Sequence, residues 1–237
     1  MNSNQTVGRI VGVLFLTVMA AYISGAVLID SILNAPDYLT IISASKMKVI
    51  IGVLLELING IAYIGIAILV FPILKHRNES LAFGYVVFRI IEFAMQIVSD
   101  LSPLILTTLS LEFVTAGAPE SSSFQTLGTL LIAQRFWANQ MVFITYCLGA
   151  FIFYYLAHQL KLIPRFLSLW GLIGVPLVLI GVMFEFFGIN LGTLLGMQMG
   201  LNEIVLGIWL VTKGFNPFAI ASESELIYNR SLDYRKK

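Results

Sequence analysis

The sequence predicts an all-α bundle of six membrane-spanning helices, and three observations predict it. Of 237 residues, 58% are apolar and only 11% charged. A soluble domain of this length carries about a quarter charged residues, because its surface must face water. The apolar residues fall into six runs long enough to cross a bilayer, since roughly 20 helical residues span its hydrocarbon. The basic residues gather at alternate ends of those runs, as the bias of cytoplasmic loops toward Lys and Arg requires. A mean hydropathy of +0.91 agrees.

In hydrocarbon the backbone must satisfy its own hydrogen bonds, so each run is read as a helix. The runs are Val7–Ile32, Met47–Phe71, Leu81–Leu109, Leu127–Ala157, Phe166–Phe187 and Gly192–Thr212. The first is too long for the roughly 7–15 apolar residues of a signal peptide, and is read as a retained span. Asn34-Ala35-Pro36-Asp37 is a turn signal after it, and Pro72 is read as closing the second run before Lys75-His76-Arg77. Glu112–Gln125, with Gly117, Pro119 and three serines, reads as the longest loop. Ile163-Pro164-Arg165 separates the fourth and fifth runs, and Gly188-Ile189-Asn190 is a hairpin between the last two. The expected organisation is a six-helix domain over residues 1–213 and a polar cytoplasmic tail over residues 214–237.

If the N-terminal side is cytoplasmic, Arg9, Lys75, Arg77, Lys161, Arg165, Lys213, Arg230, Arg235, Lys236 and Lys237 all lie inside. Only Lys46 and Lys48 then lie outside. Both termini are therefore expected on the cytoplasmic side.

Arg89 and Arg135 fall within predicted spans, as do Glu56, Glu92, Asp100, Glu185 and Glu203. A charge at mid-bilayer costs at least about 2.5–3.5 kcal/mol, so these groups should face the bundle and pair. A rise of about 1.5 Å per residue puts Glu203 near the midplane and Glu56 roughly 5 Å to its outer side. Arg135 lies roughly 10 Å toward the outer face and Arg89 about as far toward the cytoplasm. Arg135 is expected to reach Glu56, Glu203 or Glu185, and Arg89 to meet Glu92 one turn along its own helix. Arg89 could instead snorkel to the interface, and Glu185 could sit among outer headgroups. Asp100 beside Pro103 is read as a kink or the end of a span.

Helical phase supports an interior polar face. Arg89, Glu92, Gln96, Ser99 and Pro103 form one stripe; Gly52, Glu56, Asn59 and Tyr63 form another; Arg135 and Asn139 are one turn apart. In the last run Gly192, Gly196, Gly200 and Gly207 share a face with Glu203, so the glycines that permit close helix approach also turn the carboxylate inward. Glu56, Glu92 and Glu203 outnumber the two arginines by one. A surplus buried carboxylate takes a proton or binds a cation.

Several chemistries are excluded. His76 and His158 both lie at span ends, so paired haem ligands, a zinc-binding histidine cluster and a buried Ser–His hydrolase are absent. No Gly-x-x-x-x-Gly-Lys loop is present for a nucleotide, and no mid-span lysine for a retinal Schiff base. Cys147 is the single cysteine, so no intramolecular disulfide forms. A net charge of +1 gives no basis for nucleic-acid binding.

Five segments carry a family resemblance: RIVGVLFL (9–16), LLELINGIAYIGIAILVFPILK (54–75), LAFGYVVFRIIE (81–92), LIPRFLSLWGLIG (162–174) and NEIVLGIWLVTKGFN (202–216). With them the chain resembles, from Arg9 to about Asn216, a family of bacterial six-span membrane proteins known as a domain of unknown function, number forty-three eighty-six. The resemblance implies the six-span fold and a bacterial cytoplasmic membrane, and no activity. Glu56, Arg89, Glu92 and Glu203 lie within the resembling segments, and Arg135 outside them.

The residues point first to a protein that binds or carries a small polar molecule or a lipid headgroup. Its site would be built from Glu56, Asn59, Arg89, Glu92, Arg135, Asn139 and Glu203, with no cofactor or metal, and carriage by six helices calls for a homodimer. The alternative is a non-catalytic membrane module that meets a partner, or senses the bilayer, through the Gly192/Gly196/Gly200 face. An enzyme using Glu56 or Glu203 as general acid/base ranks third, because no nucleophile or metal set accompanies them. The same charges would also suit a closed ion-pair network.

Overall fold

The computed structural model describes residues 3–119 and 123–216. Seven helices follow one another: α1 (Ser3–Leu33), α2 (Tyr38–Ala44), α3 (Lys46–Leu74), α4 (Glu79–Thr115), α5 (Ser123–Gln159), α6 (Arg165–Glu185) and α7 (Gly192–Lys213). All but α2 are long and apolar enough to cross a membrane. The six predicted runs thus become six long helices. The predicted tail from residue 217 onward lies outside the described residues.

The long helices alternate up and down and close into a ring in chain order. α1 packs on α3, α3 on α4, α4 on α5, α5 on α6, α6 on α7, and α7 returns to α1. One end of the ring carries Gln5, Leu74, Glu79, Gln159, Arg165 and Lys213. The other carries α2. At the first end Asn216 donates from its backbone N to Leu162 O (3.0 Å) and from Nδ2 to Lys161 O (3.2 Å), while Phe215 is buried. Residues 214–216 therefore fold back onto the α5–α6 turn.

Three predicted boundaries shift. Pro72 does not close α3, which continues to Leu74. A proline in the last turn forfeits one backbone bond, a small loss where the carbonyls are about to lose their partners anyway. Asp100 does not mark a span end: α4 runs through Pro103 to Thr115. At about 1.5 Å per residue, the 37 residues of α4 exceed the roughly 30 Å of hydrocarbon, so its ends extend into the interfaces. The loop expected over Glu112–Gln125 is correspondingly short. The sequence reading also missed α2, whose seven residues are too few to show a period. It is held by burial of Leu39 and Ile42 and by a hydrogen bond from Ser110 Oγ to Leu39 O.

Burial is arranged for lipid. Ile10, Val13, Ile51, Ile68, Phe83, Leu130, Ile173 and Met197 point outward, while Glu56, Arg89, Glu92, Asp100, Arg135 and Glu203 point in. A water-soluble protein would reverse these positions. The interior holds two apolar clusters. One, toward the Gln5 end, includes Val11, Phe15, Tyr85, Phe153 and Leu206. The other, toward α2, includes Ile29, Leu39, Ile42, Val53, Leu106 and Phe113. Between them lies a polar layer: on α3, Val49 and Val53 belong to the α2-end cluster and Ala62 and Tyr63 to the other, with Glu56 and Asn59 in between.

Candidate functional site: two buried charge centres

The polar layer resolves into two centres. Nearer α2, Arg135 of α5 donates from Nη2 to Glu56 Oε1 of α3 (2.7 Å) and from Nη1 to Asp100 Oδ1 of α4 (3.4 Å). Gln96 of α4 bridges the same two acids, its Nε2 donating to Asp100 Oδ1 (2.9 Å) and Glu56 Oε2 (3.3 Å). Asp100 is 3% exposed, yet its Oδ2 has no donor among the described residues. Two carboxyls thus meet one guanidinium.

The second centre lies toward the Gln5 end. Arg89 donates to Glu92 on the same helix (2.8 Å). Its guanidinium lies over the rings of Tyr63 (4.3 Å to the centroid), Tyr146 (5.1 Å) and Tyr85 (5.5 Å). Such ring faces attract a cation most strongly where water is excluded. Glu203 of α7 accepts from Tyr63 Oη (2.7 Å) and Tyr146 Oη (2.8 Å). Tyr63 and Tyr146 therefore touch both ions, with ring to the arginine and hydroxyl to the carboxylate. Close by, Tyr154 Oη donates to Asn202 Oδ1 (2.6 Å), and Asn202 Nδ2 to Leu167 O (3.2 Å). Arg89 Nε and Tyr85 Oη are buried without a partner among the described residues.

Seven residues along α3 separate Glu56 from Tyr63, which sets the centres about 10 Å apart along the helix axis. Around them, further polar side chains bond from helix to helix. Ser99 Oγ donates to Asn139 Oδ1 (2.8 Å), Ser102 Oγ donates to Gln134 Oε1, and Asn59 Nδ2 donates to Val18 O (3.1 Å).

The seven residues read from the sequence divide accordingly. Glu56 and Arg135 join the first centre; Arg89, Glu92 and Glu203 join the second. Asn59 and Asn139 bind helix to helix beside them. Arg135 reaches Glu56 but bonds neither Glu203, which the tyrosines hold, nor Glu185, which accepts from Gly192 N (3.1 Å) and so caps α7. Arg89 does not snorkel; it is 2% exposed and boxed by aromatic rings.

The glycine face also divides. A Cβ on Gly207 would stand 2.9 Å from Leu16 Cδ2 and one on Gly200 3.3 Å from Met19 Cε, so both pack against α1. Gly192 faces Glu185, and Gly196 faces open space. Sequence reasoning missed the tyrosine box and the role of Asp100. Tyr85 precedes Arg89 by one turn and Tyr146 follows Arg135 by three, so helical phase carried a signal for both.

The box predicts a specific asymmetry. Tyr63→Phe keeps the ring under Arg89 but strips a donor from buried Glu203. A hydrogen bond to a charged group contributes about 1.5–3 kcal/mol, and a loss in that range is expected in the thermal unfolding of the detergent-purified protein. Tyr63→Leu removes ring and hydroxyl together and should cost clearly more.

A closed ring of six apolar helices around paired interior charges defines a polytopic α-helical membrane protein. The chain belongs to the family described as Domain of unknown function (DUF4386), which matches over residues 10–214. No curated protein and no solved structure matches it.

Proposed function

We propose that this protein binds a small polar molecule, free or as a lipid headgroup, at the Glu56–Asp100–Arg135 centre, and carries it or holds it there. The observation that supports this most is Asp100 Oδ2, a buried acceptor without a donor beside an arginine already shared by two acids. An orphan acceptor costs about 1–3 kcal/mol, so it marks a place where a donor is expected. In the Arg89–tyrosine box both carboxylates are held, by Arg89, Tyr63 and Tyr146, and the atoms without a partner among the described residues are Arg89 Nε and Tyr85 Oη rather than a carboxylate oxygen, so we assign it the support of the bundle. The basic residues at the Gln5 end favour that end as cytoplasmic, and the family favours a bacterial cytoplasmic membrane.

The partner-module reading finds less support, because of the Gly192/Gly196/Gly200 face Gly192 meets Glu185 and Gly200 meets α1 within the bundle, and Gly196 alone faces open space.

A thermal-shift panel on detergent-purified protein tests the proposal, using amines, amino acids and headgroup analogues such as phosphoethanolamine. A ligand at a hundred times its Kd adds about 2.7 kcal/mol, a rise in Tm of several degrees. That rise is expected for the wild type and not for Asp100→Asn. A panel without any rise would favour a closed ion-pair network.

A further inference from the structure

The charge arithmetic at the first centre narrows the ligand class. Glu56 and Asp100 share two bridging donors, Arg135 and Gln96, which hold their carboxyl groups side by side. Two buried carboxylates bridged by the same donors repel each other, so a proton on Asp100 Oδ2 is the simplest occupant of the centre when no ligand donor is there. Arg135 neutralises one carboxylate and the proton the other.

Besides the pair itself, on α3 and α4, the titratable groups near enough to act on it electrostatically are Arg135 on α5 and the exposed Tyr22 and Asp30 on α1. α1 closes tightly here, since a Cβ on Gly25 would stand 3.0 Å from Glu56 Cγ. One turn further along α1, a shallow open depression of about 500 Å³ is lined by Ala26, Val27, Asp30, Ser31, Asn34 and Ala35. It offers apolar wall and one acid, and Asp30 is close enough to interact electrostatically with Glu56 and Arg135.

Resting on the binding reading above, we infer that this centre is a site for a primary ammonium group, which enters by displacing the proton on Asp100. The exchange balances. One N–H of the ammonium donates to Asp100 Oδ2 and another to Glu56, the displaced proton passes to water, and the net charge of the centre is unchanged. A metal ion fits less well. Calcium takes six to eight oxygens, and no group of three acidic, histidine or cysteine side chains suited to a metal occurs among the described residues. The Arg135 guanidinium would also repel a divalent ion. An ammonium needs only acceptors. A free alkylamine and a phosphatidylethanolamine headgroup present the same chemistry.

Weakly buffered, detergent-purified protein with a pH indicator separates the outcomes. Butylammonium chloride and dihexanoyl phosphatidylethanolamine are added in separate arms, with binding followed in parallel by calorimetry. The wild type should release about one proton per ammonium bound, and the arm that responds identifies the source. Asp100→Asn keeps the Arg135–Glu56 pair, so it should fold, release no proton and bind at least about tenfold more weakly. Asp30→Asn should weaken binding while retaining release. Binding without proton release would overturn the inference and leave the binding site standing. Binding of neither probe would overturn the inference, and the binding reading falls with it only if the wider thermal-shift panel also gives no rise.

Discussion

Replacing Arg135 with leucine is expected to cost about 3–5 kcal/mol and to remove most folded protein from a detergent extract. Among the described residues the guanidinium is the one cation bonded to Glu56 and Asp100, at 2.7 and 3.4 Å. Removing one partner of a buried ion pair leaves an uncompensated charge, which is far worse than never having had the pair. The same reasoning predicts rescue. Adding Glu56→Gln to Arg135→Leu leaves one carboxyl, Asp100, which takes a proton and becomes neutral, so the double variant should recover a large part of the loss. Size-exclusion profiles and unfolding temperatures of the two variants check this, and a double variant no better than the single would contradict the pairing.

Gly12→Leu should be comparably severe for a different reason. A Cβ at Gly12 would stand 2.6 Å from Val211 N and 2.8 Å from Gly207 O, both backbone atoms of α7. Overpacking against a movable side chain costs about 1–3 kcal/mol. Here the obstacle is another helix, so α1 and α7 must separate and the ring opens at its closing seam. In lipid, where apolar surface gains nothing from leaving water, such close approach supplies much of the association. Gly196→Leu, which meets open space, is the matched control and should leave the unfolding temperature within about 0.5 kcal/mol of wild type.

How much of this could be read in advance varied with the physics involved. Six spans were legible because hydrocarbon demands long, uninterrupted apolar helices, a demand no tertiary contact can override. The inward turn of Glu56, Arg89, Glu92, Arg135 and Glu203 was legible from phase and from the cost of a charge in lipid. Their sorting was not. Phase places a residue on a face but says nothing of which helix it faces, and the ring order α1–α3–α4–α5–α6–α7 decides that Arg135 meets Asp100 rather than Glu203. Asp100 was read as a kink or a span end because Pro103 follows it closely, and the span continues because helices tolerate a proline where neighbouring groups satisfy the freed carbonyl. The tyrosine box was hidden for a simpler reason: aromatic residues are common in spans, and only the meeting of Tyr63, Tyr85 and Tyr146 on one cation gives them a joint role.

On the proposal above, the Glu56–Asp100–Arg135 centre holds a ligand rather than merely holding the helices together. Native mass spectrometry of the protein released from detergent tests it most directly, with wild type measured beside Asp100→Asn. A ligand-holding centre gives a discrete added mass, of an amine or an aminophospholipid, on the wild type, lost from a variant that remains folded. A bare wild type, or an adduct that Asp100→Asn retains undiminished, would contradict it.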